Sequence, residues 1–271
     1  MDTTDKIIQT NYGYRKNLIA NQKNPRYLFE EHQVDNNQQS NFKKNLTDHR
    51  SFVVVQGEII LEFLQENGDR TSQSYGNLEG WHALPGSIYR IRNESNQPSV
   101  LIEGGSISGE DTEIDSQNAL ITNPPPTSCK DISPYKVEKP WGGEIWFTHN
   151  IREDLPYALK KIWMNAGNQS SLQSHEVKME TNYVIEGEAT VLSGIIAPED
   201  LNAVIELETL KSKKYQHGLG WSSEHRELHR VIAKSNYISI EISTPELDDV
   251  IRWQDDTNRG SGRIESEHSL I

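Results

Sequence analysis

Apolar residues in this chain come in short runs that alternate with polar ones, as in "YALKKIWM" (157–164), "TNYVIEGEATVL" (181–192), "AVIELETL" (203–210) and "YISIEIS" (237–243). A period of two is the mark of a strand with one face buried, and no 15-residue stretch carries the 3.6-residue period of an amphipathic helix. Many short strands with turn signals about 8–12 residues apart predict an all-β sandwich or barrel. With 271 residues, two ordinary domains are expected, each large enough to bury a core. The clearest break is "NPPPTSCKDISPYKVEKPWGG", whose prolines and glycines predict a linker over 123–143 between a domain at 1–122 and another at 144–271. Residues 1–45 are rich in Asn, Gln and Lys with weak periodicity, and 254–271 are polar, so both ends are expected to be partly extended.

Charge narrows the partners. Forty acidic against 27 basic residues give a formal charge of −13, which repels phosphate backbones and anionic membranes. Nucleic acid is therefore excluded as a partner. The apolar runs fall far short of the roughly 20 residues of a membrane span. The polar start "MDTTDKIIQTNYGYRKNLIA" lacks the apolar core of a signal peptide. A lone cysteine, Cys129, allows no internal disulfide, and a cytoplasmic protein is the expectation.

The densest chemistry lies in "SLQSHEVKME" (171–180). On a strand, Gln173 and His175 share a face, and Glu180, beyond a bend at "EVK", swings back to it from the next strand. A fourth donor is His229 in "ELHRVIAKSN", with His225 as a competitor. An amide oxygen, two imidazoles and a carboxylate suit one divalent ion, Zn, Mn, Co, Ni or Fe(II), with positions left open for water or substrate.

The stretch "GNQSSLQSHEVKMETNYVIEG" resembles the first cupin motif, with six residues between Glu180 and Gly187 and Gln173 in place of the first histidine. That replacement, together with "KPWGGEIWF" (139–147), "YALKKIWMNAG" (157–167) and "HRVIAKSNYISIEISTPELDDVIRWQDD" (229–256), is similar to the type II mannose-6-phosphate isomerase branch of the cupins. About 130 residues are covered, in the same order. Around His229 the expected proline and glycine are absent. The first half carries a fainter echo in "RSFVVVQGEIILEF" and "LPGSIYRIRN". An ungapped overlay sets Lys43, Asn45, Arg50 and Tyr89 against Gln173, His175, Glu180 and His229, and two of the first four are cations, which repel a divalent ion.

The resemblance implies a bicupin, two double-stranded β-helix (jelly-roll) barrels, with one metal in the second. It also implies a metal-dependent isomerase acting on a small-molecule sugar or sugar phosphate. The glycine-rich, basic signature of the nucleotidyltransferase found in bifunctional members does not occur in this sequence. Aldose–ketose interconversion needs a base of near-neutral pKa, for which Lys160, lowered by the ion beside it, is the candidate. A phosphate needs cations, of which Arg252 is first choice, then Arg259 and Lys178. Trp141, Trp163 and Trp221 are candidates for stacking on a sugar or for packing. Another metal-cupin enzyme (epimerase, lyase or dioxygenase) and a non-catalytic carbohydrate-binding bicupin remain open. Open sheet edges make a homodimer a further expectation.

Overall fold

The computed structural model describes residues 7–264 other than 20, 21, 23, 46, 108–111, 115–126, 150 and 152–154. Among them a 3-10 turn lies at Leu207–Thr209, and no helix is long and apolar enough to cross a membrane. The chain forms two compact units, one of Met1–Leu18 with Arg26–Ser133, the other of Ile19–Pro25 with Pro134–Ile271.

Strands of the first unit are β1 (Ile7–Thr10), β2 (Gly13–Asn17), β3 (Leu28–Val34), β4 (Phe42–Lys44), β5 (Arg50–Gln56), β6 (Ile59–Leu64), β7 (Arg70–Tyr75), β8 (Gly80–Ala83), β9 (Ile88–Arg92), β10 (Ser99–Gly105), β11 (Thr112–Ile114) and β12 (Lys130–Asp131). They make two sheets, in the orders β1, β2, β3, β10, β5, β8, β12 and β11, β4, β9, β6, β7. The second unit has β13 (Tyr135–Lys139), β14 (Gly142–Trp146), β15 (Ala158–Met164), β16 (Leu172–Ser174), β17 (Glu180–Glu186), β18 (Glu188–Ile196), β19 (Lys211–Gln216), β20 (Gly220–Ser223), β21 (Glu227–Ala233), β22 (Tyr237–Ser243), β23 (Val250–Gln254) and β24 (Gly262–Ile264). Its sheets run β13, β14, β15, β22, β17, β20 and β19, β18, β21, β16, β23, β24. All the ladders are antiparallel, and non-consecutive neighbours such as β15 with β22 mark the crossed connections of a jelly roll.

The second unit repeats the first pair by pair. Lys43 lies opposite Tyr89 as Gln173 lies opposite His229, and Phe52 lies opposite Trp81 as Asn182 lies opposite Trp221. The chain is thus all-β, two jelly-roll barrels built on one plan. What fills them differs. Phe52, Leu61, Trp81, Tyr89 and Leu101 belong to a continuous apolar core in the first. Polar groups interrupt the interior of the second.

Three readings of the sequence are corrected. First, β13 and β14 fall in or across the end of the segment read as a linker, because its prolines and glycines make a hairpin: Lys139 pairs with Gly142 across Pro140 and Trp141. Gly142, at φ +151°, lies so close to Trp163 that a Cβ would sit 2.1 Å from its carbonyl oxygen. Second, residues 1–45 hold β1 to β4; charged residues buried on β3, Glu31 and His32, hide its periodicity. Third, "AVIELETL" is not a strand. It is an extended stretch ending in the 3-10 turn, with Ala203, Ile205 and Leu207 half-buried against a core of Leu172, Leu228 and Trp253. Alternation there reports one-sided burial without ladder hydrogen bonds.

Candidate metal centre

The second barrel brings His175, Glu180 and His229 together, with donor atoms all within 4.8 Å of one another and each residue buried. Glu180 opens β17, His229 sits at the third position of β21, and His175 follows β16. Glu180 Oε1 is 3.1 Å from His229 Nε2 and Oε2 is 3.5 Å from His175 Nε2. Gln173 Nε2 lies 3.1 Å from the same His229 nitrogen; turned about its last bond, that amide offers its oxygen instead.

Both imidazoles are fixed from behind. His175 donates from Nδ1 to the Asp249 carbonyl at 2.5 Å. His229 Nδ1 is 3.2 Å from the Glu227 carbonyl and 3.1 Å from Ser223 Oγ. That arrangement leaves each Nε2 as the inward atom, and His175 Nε2 is buried without a hydrogen-bond partner. Metal-binding histidines are oriented in this way. Burial, then the nearby Lys178 charge, pushes His175 below the usual imidazole pKa, which keeps its lone pair available. Burial works in the same sense on His229, but Glu180 beside it wins and raises its pKa. Burial alone would raise Glu180; Lys178 and His229 instead hold it well below the carboxylate range. The donor set fits one divalent ion.

Asp249, which the sequence reading missed, builds the bend that carries His175 and Glu180. Its carboxylate accepts from the backbone N–H groups of Glu176, Val177 and Lys178 at 3.1, 2.5 and 2.8 Å. Burial opposes its ionisation, yet these bonds hold its carboxyl below the usual range. Asp249→Ala is expected to loosen the bend and weaken metal binding by about 10- to 100-fold while the barrel stays folded, measured by competition titration against a metallochromic chelator. An unchanged affinity would rule out the positioning role.

Other predicted residues fall in different places. Lys160, on β15, is buried between Glu144 at 3.1 Å and Glu241 at 3.3 Å, and its ammonium sits 4.6 Å over the Trp146 ring. Its expected lowering is reversed. Burial pulls its pKa down, but Glu144 and Glu241 raise it, so Lys160 is a charged donor and not a neutral base. Lys178 reaches Glu180 at 2.6 Å and Glu241 at 3.2 Å. Glu241 is thus held by two lysines; burial and then Glu180 nonetheless lift its carboxyl above the ordinary range. Arg252 lies opposite Gln173 on β23, but its guanidinium donates to the Gly260 carbonyl at 3.0 Å and is absent from the pocket wall. Arg259, Trp141 and Trp221 do line that pocket, an open volume of about 690 Å³, whereas Trp163 does not. His225 is exposed, and His217 is an exposed residue bonded to the Ile185 carbonyl.

The first barrel carries a charge-reversed copy. Arg50 occupies the position of Glu180, Asp48 that of Lys178, and Glu30 that of Lys160, while Glu103 keeps that of Glu241. Arg50 bonds Glu103 at 3.1 Å and Asp48 at 2.5 Å. Glu30, His32 and Glu103 also lie within 4.8 Å of one another. Both His32 nitrogens, however, are taken, Nδ1 by Tyr12 Oη at 2.9 Å and Nε2 by Glu103 at 2.7 Å. With the Arg50 guanidinium bonded to two of its carboxylates and both His32 nitrogens engaged, this cluster is a hydrogen-bonded ion network.

Fold and site together define an all-β protein of two jelly-roll barrels whose second barrel gathers His175, Glu180 and His229 as a candidate metal centre. No family model matches the chain, and no curated protein matches it. Solved structures do. Oxalate decarboxylase from Bacillus subtilis at pH 4.6 is 11% identical, with 92% of this chain and 76% of that one covered at a TM-score of 0.67. The Lactobacillus farciminis oxalate decarboxylase formate complex is 10% identical, with 92% and 86% covered at 0.67. A structure addressing the Mn(II) centres of the B. subtilis enzyme is 10% identical, with 92% and 78% covered at 0.66. At such identities the likeness is one of fold.

Proposed function

We propose that the chain is a metal-dependent cupin enzyme acting on a small molecule, through one divalent ion held by His175, Glu180 and His229 with Gln173 as fourth ligand. One observation carries this reading: two buried imidazoles, each fixed through Nδ1, turn Nε2 toward a single buried carboxylate in the wall of an open pocket. The fold neighbours, oxalate decarboxylases of which one is described by its Mn(II) centres, support an enzyme and make Mn(II) the first ion to try.

When bound, the ion supplies Lewis-acid stabilisation of negative charge on a substrate oxygen. The chain's own residues supply the rest. Lys178 donates to Glu241 and Lys160 pairs with it, but burial and then Glu180 outweigh both cations and raise its carboxyl, which makes Glu241 the group to take or give a proton beside the substrate. Trp141 and Trp221 form part of the apolar lining. An acid–base wall of this kind fits a lyase, epimerase or isomerase better than dioxygen chemistry.

A second reading, an aldose–ketose isomerase of the mannose-6-phosphate type, has one observation in its favour. Lys139 and Arg259 line the same pocket as Gln173, Lys178 and Glu180, and so bring two cations to its wall where Arg252 brings none, although Arg259 is paired with Asp255 at 2.6 Å. The test is Mn(II), Co(II) or Zn(II) reconstitution after chelation, followed by 1H NMR with oxalate and with mannose 6-phosphate. Metal-restored turnover of either is the expected result, formate marking the lyase reading and fructose 6-phosphate the isomerase. Full metal occupancy without turnover of any small oxo- or hydroxy-compound would leave a binding protein. Absence of metal uptake would end the proposal.

A further inference from the structure

Beyond the candidate ligands, the pocket wall holds a buried amide donor, Asn182 Nδ2, that no group of the protein satisfies. Asn182 follows Glu180 by two residues on β17, so both side chains point into the barrel. It is 1% exposed. Its Oδ1 accepts from Ser239 Oγ at 3.1 Å, whereas its Nδ2, buried in the pocket lining, has no partner. Tyr237, two residues before Ser239 on the same face of β22, is also 1% exposed, but its hydroxyl faces Ser239 and Trp221. Natural folds rarely keep buried donors unpaired unless something else pairs with them.

The sister barrel is an internal control. Its counterpart of Asn182 is Phe52, which stacks on Trp81 with centroids 4.9 Å apart at 16°. Its counterpart of Ser239 is Leu101, opposite Val54 as Ser239 is opposite Val184. The framework packs these positions with apolar side chains where it has no pocket to serve. The counterpart of Tyr237 is Ser99, itself polar, so Asn182 alone carries the difference.

Distance and charge define what it meets. A strand rise of about 3.3 Å per residue sets Asn182 about 7 Å along from Glu180. At about 1.5 Å per carbon–carbon bond, a two-carbon molecule held at Glu180 stops short of Asn182, and a chain of roughly four to six carbons reaches it. Glu241 lies opposite Asn182 in the register and would repel a second carboxylate there. A neutral acceptor is favoured.

We infer that Asn182 determines specificity: its Nδ2 binds a neutral carbonyl or hydroxyl oxygen at the far end of a four- to six-carbon substrate whose near end lies at His175, Glu180 and His229. This rests on the metal-enzyme reading. The test uses the full chain loaded with Co(II), whose visible spectrum reports ligands at the ion, titrated with oxalate as the short probe and D-ribonate as the long one. Asn182→Ala, checked for unchanged Co(II) stoichiometry and circular dichroism, is expected to weaken D-ribonate by about 10-fold or more and oxalate by less than about 2-fold. Equal losses for both probes, no loss for D-ribonate, or no binding of D-ribonate to the unmodified protein would overturn the inference and leave the metal reading standing. Failure of the unmodified protein to take up Co(II) would remove both.

Discussion

Glu180→Gln is expected to reduce tightly bound divalent metal from about one ion per chain to less than about a tenth, with affinity lowered by roughly 100-fold or more. Glutamine keeps the shape and removes the charge. The other candidate ligands, Gln173, His175 and His229, bring no negative charge of their own, and Lys160 and Lys178 already place two ammonium groups on the pocket wall. Without the Glu180 carboxylate an incoming dication loses its one anionic ligand, since Glu144 and Glu241 are already engaged by those lysines. The same change releases Lys178 from a 2.6 Å contact, but Glu241 remains 3.2 Å away, so the barrel keeps a partner for that buried charge. Loss of stability is therefore expected to stay below the roughly 3–5 kcal/mol typical of breaking a buried pair outright. Elemental analysis after reconstitution and isothermal titration with Mn(II) measure the effect. Stoichiometric Mn(II) at undiminished affinity in Glu180→Gln would show that the cluster is not a metal centre.

What the sequence displays and what it hides separate along physical lines. Period-two patterning and the Gly187 turn are local, and they point to β17 and β18, which that glycine joins at φ +77°. The overlay of Lys43 and Tyr89 on Gln173 and His229 is legible because both pairs stand in the same register. Asp249, Glu241 and Asn182 were not legible. Asp249 acts on a bend 71 to 73 positions earlier, and its own neighbourhood, "ELDDVIRW", reads as an acidic surface. Glu241 sits in "YISIEIS", where alternation marks the strand but not which face holds the pocket. Asn182 looks like a tolerated polar residue until its counterpart Phe52 is seen filling the other barrel. The direction of Lys160's pKa needed both Glu144 and Glu241 in place, one 16 and one 81 positions away.

In the first barrel, Arg50→Met is expected to cost about 3–5 kcal/mol in chemical denaturation at pH 7. Arg50 is 5% exposed, and its guanidinium bonds two carboxylates that are themselves buried, Glu103 and Asp48. A methionine of similar length leaves both charges in a low-dielectric interior, with only His32 still donating to Glu103. Acid supplies the second half of the test. Burial would raise Glu103, but Arg50 and then His32 hold it far below its ordinary value. A carboxyl so depressed contributes stability above its unfolded pKa of about 4.3, and that contribution fades as pH falls through the folded value. Once Arg50 is removed, burial dominates, the folded pKa lies above the unfolded one, and protonation favours the native state. The gap between the variant and the unmodified chain is therefore expected to narrow between pH 7 and pH 4. A penalty under about 1 kcal/mol at pH 7, or a gap that widens on acidification, would mean that Arg50 does not hold the centre of this barrel together.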